Sequence, residues 1–259
     1  MLLPAPTEAV RALGDPGRRV APAAVDGLRA GPAPAPAQGL SAERTVALTD
    51  LALGVEAAAF ALMLARDERS QGSPLRGPLI TFFATTAAAS LAGAALHGLT
   101  TDRSDPRRRA LWRLSLGSIG MAGLSSWWLG ARLSLGRGKA SIVEGGATVV
   151  HIPYLAAVLR SDQPFWVAIL SYLPGAVFLG GSLVSRLRDR HRRRPAALGL
   201  AGLGVTFAAA GVQVAKVGVG RRFDHNALYH AMQAIGVALF FRAAKGWLAA
   251  SSGQPPGRQ

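Results

Sequence analysis

The strongest constraint in this chain is a rhythm of long runs without Asp, Glu, Lys or Arg, separated by short connectors crowded with arginine. Residues 77–101, 114–131, 145–159, 163–185, 195–215 and 226–241 are such runs. The connectors hold Arg107, Arg108 and Arg109, then Arg186, Arg188 and Arg190, then Arg192, Arg193 and Arg194. A helix crosses the hydrocarbon of a bilayer with about 20 apolar residues, and about 17 suffice. An arginine at the centre of a bilayer costs on the order of 3 kcal/mol or more, so arginines collect at span ends. The two shorter runs, 145–159 and 226–241, reach span length when a flanking polar side chain snorkels to the interface. A seventh segment, 45–65, is apolar except for Asp50 and Glu56. The expected fold class is therefore all-α, a polytopic membrane protein built as a seven-transmembrane helix bundle. A soluble bundle would need six uncharged helices, none with a polar face.

Charge placement also narrows the partners. The net charge is +15, yet only 17% of the 259 residues are charged. The arginines flank apolar spans and lack interleaved aromatics, which excludes nucleic acid and leaves the lipid bilayer as partner. The chain has no cysteine, so disulfides and thiolate metal sites are excluded. Trp112, Trp127, Trp128, Trp166 and Trp247 fall near expected span ends, where an amphipathic indole favours the interface. Residues 1–42, with their GPAPAPAQG stretch, read as a disordered Pro/Ala/Arg-rich tail or an over-extended start. They contain no apolar stretch of about 7–15 residues of the secretory kind. Residues 43–250 form the expected membrane domain, and residues 251–259 a second disordered tail. The flanking arginines and lysines lean slightly towards an outside N-terminus.

Ionisable groups inside spans are costly and mark candidate functional sites. The expected topology sorts them by depth. Asp50 in span 1, His97 near the end of span 2, Ser115 and Ser118 early in span 3, and His225 and His230 at the start of span 7 all fall on one side, at similar depth. On a regular helix, positions five apart stand about 140° apart, a poor geometry for a shared ligand. With Asn226 as N-cap, however, His225 and His230 occupy the two positions that touch in a staple across the helix start. Together with His97 they would then offer three imidazoles, the arrangement of a catalytic zinc with one open position. Asp50 or Asp224 would serve as general base or orient a histidine, and Ser115 or Ser118 would hold an oxyanion. The plainer alternative makes each histidine a helix-start or interhelical hydrogen-bonding group. His151, in VVHIPYL, reads as a partner for a neighbouring helix or for the carbonyl freed by Pro153. Glu56 with Gln213 or Lys216 would form a buried pair.

His97 in SLAGAALHG, with His225 and His230 in DHNALYH, resembles the CREST superfamily, which includes alkaline ceramidases and the progestin/adiponectin receptors. The HN-aliphatic-YH string also resembles bacterial membrane proteins near that group. The resemblance implies a zinc held by His97, His225 and His230, hydrolysis of a lipid amide substrate, and a bacterial inner membrane location. The chain departs from the pattern in three places. The serine four residues before the span-2 histidine is replaced by Gly93, leaving Ser90 as the nearest serine on that face. Span 3 has no acid, and the span-7 histidines are five apart rather than four. Ser90, Asp50 and Asp224 thus stand as catalytic candidates, with Asp50 the substitute acid. Three functions follow as expectations: a zinc-dependent hydrolase of a lipid amide, a non-enzymatic protein that binds or senses lipid, and a proton relay through Asp50, Glu56 and histidine.

Overall fold

The computed structural model describes residues 40–100, 105–220 and 223–251. The two tails expected at 1–42 and 251–259 lie almost wholly outside the described residues. Seven long helices account for most of the described residues: α1 (Leu40–Arg66), α2 (Arg76–Leu99), α3 (Pro106–Ser134), α4 (Arg137–Arg160), α5 (Phe165–Arg186), α6 (Arg193–Ala215) and α7 (His225–Ser251). There is no strand among the described residues. Six of the seven, all but α3, are long and apolar enough to cross a membrane.

The exception has a physical reason. α3 carries a face of small and hydroxylated residues, with Gly120, Gly123, Ser125, Ser126 and Gly130 buried. It packs against α2, α4 and α5. A helix enclosed by neighbours does not need a lipid-compatible surface, and small residues let the neighbours approach. Its start is fixed by Asp105, whose side chain accepts from the Arg107 N–H at 2.8 Å, with Pro106 in the first turn.

The principal packings run α1–α2–α3–α5–α6–α7 and back to α1, which closes a ring of six helices. α4 sits outside that ring, mainly against α3, and presents Ile142, Val149, Val150 and Ile152 outward. At the α6–α7 crossing the backbones meet closely. A Cβ on Gly202 would stand 2.8 Å from the Gly236 carbonyl oxygen, so a side chain there would force the two backbones apart.

One end of the ring is filled. Phe60 stacks on Phe241 with centroids 4.1 Å apart, Phe83 meets Phe241 edge-on, and Phe82 leans on Phe240. Trp247 joins this cluster and is 4% exposed. The expectation that Trp247 anchors at the interface is therefore corrected. Its indole fills space against Gly199 in the core, and its Nε1 finds no hydrogen-bond partner among the described residues. On the α3–α4 side Arg132 binds Glu144 through two hydrogen bonds and also reaches the Pro74 carbonyl, while Arg186 reaches the Leu133 carbonyl. Near the start of α3, Arg109 and Arg113 bracket Asp162 at 3.1 and 3.2 Å. Connector arginines thus tie helix ends together, a use that their crowding alone does not specify.

Candidate functional site

The other end of the ring is hollow. A cavity of about 360 Å³ lies among α1, α2, α3, α5, α6 and α7. That size falls within the range of about 300–1,000 Å³ usual for small-molecule sites. Its walls are largely apolar, with Leu53, Phe82, Leu203, Val237 and Phe240 among them. Its polar groups include Asp50, Ser90, His97, Ser115 and His230. The depth argument from sequence thus brings together side chains from α1, α2, α3 and α7. Ser118 is buried but does not line the cavity.

The centre of this polar set is a contact between Asp50 and His230. His230 Nε2 stands 3.3 Å from Asp50 Oδ1, and the two side chains are 12% and 6% exposed. Across the imidazole, His230 Nδ1 makes a long 3.5 Å contact with Thr49 Oγ1. The Thr49 hydroxyl lies 2.9 Å from the Val46 carbonyl and 3.1 Å from that of Thr45. Thr49 has one hydroxyl proton and three acceptors within reach, the two carbonyls and His230 Nδ1. His230 Nε2 and the Asp50 carboxyl group face each other across 3.3 Å. Pairing with the imidazole offsets part of the cost of burying the Asp50 carboxyl group.

Gly93 is the residue that admits Asp50. A Cβ at Gly93 would overlap Asp50 Oδ2. The glycine that departs from the resemblance's serine and the acid that arrives from α1 are thus one local arrangement: the carboxyl group fills the space a side chain would take. The sequence carries part of this signal, since Gly93 and His97 share a face of α2, but nothing in it ties that face to α1. Nor does sequence reasoning single out Thr49, adjacent to Asp50.

His225 is placed differently. α7 begins at His225, not after Asn226. Asp224 caps the helix: its Oδ1 accepts from the Asn226 and Ala227 N–H groups, both at 3.0 Å. This corrects the expected Asn226 cap, because a carboxylate two residues earlier captures the orphan donors first. His225 and His230 therefore lie within one regular helix, about 140° apart. Asp224 and His225 do not line the cavity. Among the described residues no three His, Cys, Asp or Glu side chains stand together as metal ligands. Both nitrogens of His230 already face protein groups. As arranged, the donor set does not fit a three-histidine zinc centre.

Further along α7, Gln213 Nε2 donates to Asn226 Oδ1 at 2.7 Å, and Thr206 donates to Gln233 Oε1 at 3.2 Å. The expected pairing of Glu56 with Gln213 is not formed, and Glu56 Oε2 is buried without a hydrogen-bond partner. Tyr229 and Gln233 both line the cavity beside His230.

Residues 45–249 match the model of DUF6962, a family of unknown function, and the chain belongs to that family. No curated protein and no solved structure matches it.

Proposed function

We propose that this member of DUF6962 is a seven-span membrane protein that binds a single-chain amphiphile inside its helix ring. The polar head would lie at Asp50, His97 and His230. The tail would run towards Phe82, Val237 and Phe240. The observation that carries this reading is the cavity itself, with polar groups from four helices gathered in an otherwise apolar chamber. α3, the helix not apolar enough to cross on its own, crosses here because its neighbours enclose it.

The test is the lipid retained by detergent-purified protein, measured by mass spectrometry of an organic extract. Ala210 lines the cavity, and Ala210→Phe adds a ring to that wall. Near-stoichiometric lipid in the parent and little in Ala210→Phe, at equal monodispersity, is the expected result. Equal amounts in both would contradict it.

A second reading, hydrolysis of a lipid amide, is favoured by one observation: Asp50, Ser90, His97 and His230 share the cavity. It requires His230 to leave its present partners if zinc is to bind. Metal analysis of protein purified without chelators separates the two. About one zinc per chain, lost in both His97→Ala and His230→Ala, would favour the hydrolase.

A further inference from the structure

We propose that the Asp50–His230 pair selects the charge of the ligand head, so that the cavity takes amphiphiles with an uncharged, hydrogen-bonding head and refuses carboxylates and phosphate esters. The proposal rests on the cavity being an amphiphile site and specifies what that site accepts.

The argument is one of charge accounting. Among the described residues, Asp50 is the sole carboxylate that lines the cavity, and no lysine or arginine does. Asp50 is 4% exposed and engages His230 at 3.3 Å, so the acid and its imidazole satisfy each other. The other polar side chains lining the cavity are uncharged donors and acceptors, among them the Ser90 and Ser115 hydroxyls, the Tyr229 phenol, the Gln233 amide and the His97 imidazole. Each of these can donate a hydrogen bond, and most can also accept one. A hydroxyl or amide head is matched by such groups. An ionised head is not, because a buried charge without a counter-ion is strongly disfavoured.

The same geometry predicts how the preference reverses. Asp50→Ala removes one carboxyl group in front of His230 Nε2. A fatty acid can supply the missing carboxyl group and take the place of Asp50 opposite the imidazole. Asp50→Asn keeps an amide in that space and leaves no room for a second carboxyl group.

The experiment uses the full chain in detergent at pH 8, where an imidazole of ordinary pKa is uncharged. Binding of three probes sharing one oleoyl chain is compared by native mass spectrometry: monooleoylglycerol, oleate and oleoyl-lysophosphatidic acid. The parent is expected to bind monooleoylglycerol at least about ten-fold more tightly than either charged probe, a difference that corresponds to about 1.4 kcal/mol. Asp50→Ala is expected to gain about ten-fold or more for oleate, and Asp50→Asn to show no gain. Equal binding of all three heads by the parent would overturn the proposal while leaving the amphiphile site standing. So would a folded Asp50→Ala protein that gains nothing for oleate. If Asp50→Ala does not yield monodisperse protein, the ranking of the three probes on the parent decides. Binding of none of them, with no lipid in the extract of the parent, would remove the site itself.

Discussion

Two buried histidines in this molecule meet opposite fates. His230 on α7 opens onto the cavity and has a partner at each ring nitrogen, Asp50 at 3.3 Å and Thr49 at 3.5 Å. His151 on α4 is 7% exposed and lies outside the helix ring, between α3 and α5. Its Nδ1 stands 3.4 Å from Ser171 Oγ, as expected of a link to a neighbouring helix. Its Nε2 has no hydrogen-bond partner among the described residues. The backbone of Gly120 closes the space in front of it, where an added Cβ would come within 2.9 Å of Nε2. The Tyr154 hydroxyl, on the same helix, donates instead to the Leu116 carbonyl at 2.6 Å. Burial alone therefore does not distinguish a site from a packing position. What separates the two histidines is room for a ligand and a second polar group to organise the imidazole.

Substitutions can break this contrast, in decreasing order of effect. His230→Leu should cost the most. It strands a buried carboxyl group, and breaking a buried pair typically costs about 3–5 kcal/mol. A fall in the thermal midpoint of detergent-solubilised protein, with loss of retained lipid, is the expected outcome. Gly93→Ala comes next, since its methyl group occupies the place of Asp50 Oδ2. Alone it should destabilise by about 1–3 kcal/mol, as overpacking does. Combined with Asp50→Ala it should cost less than the sum, with a coupling of about 0.5–3 kcal/mol in a double-mutant cycle. Strict additivity would show that the two residues do not share that space. Asp224→Ala removes the α7 cap and should cost about 1 kcal/mol, read as earlier hydrogen exchange at the Asn226 and Ala227 amides. Smallest of all, His151→Leu should leave the thermal midpoint nearly unchanged or raise it, because it removes an unsatisfied buried nitrogen, and it should leave lipid retention untouched. A loss of retention in His151→Leu would erase the distinction between the two histidines.

Much of this architecture is legible in the amino-acid sequence. The absence of charge over residues 77–101 or 163–185 leaves few alternatives to a spanning helix, and the helices follow those runs closely. The shared depth of Asp50, His97, Ser115 and His230 is also readable, because alternating helix direction converts sequence position into height. Lateral position is not readable in the same way. That α4 leaves the ring while α3 sits in its wall depends on which small residues find a close neighbour, as Gly123 does against Tyr172. Trp247 misleads because an indole satisfies an interface and a core equally well by composition. The start of α7 misleads by one cap: Asp224 and Asn226 are both good N-cap residues, and only the backbone shows that Asp224 takes the two amides. Gly93 is legible only as a missing serine; its meaning requires Asp50 beside it.

The central claim is that an amphiphile occupies the helix ring rather than only the outer surface. Photo-crosslinking answers this directly, using a monoacylglycerol with a diazirine in its tail and peptide mapping of the labelled full chain. Labels on Phe82, Val237 and Phe240 that disappear with excess unlabelled monooleoylglycerol are the predicted result. Labelling confined to outward positions such as Val149, Val150 and Ile152 on α4, unaffected by the competitor, would contradict it.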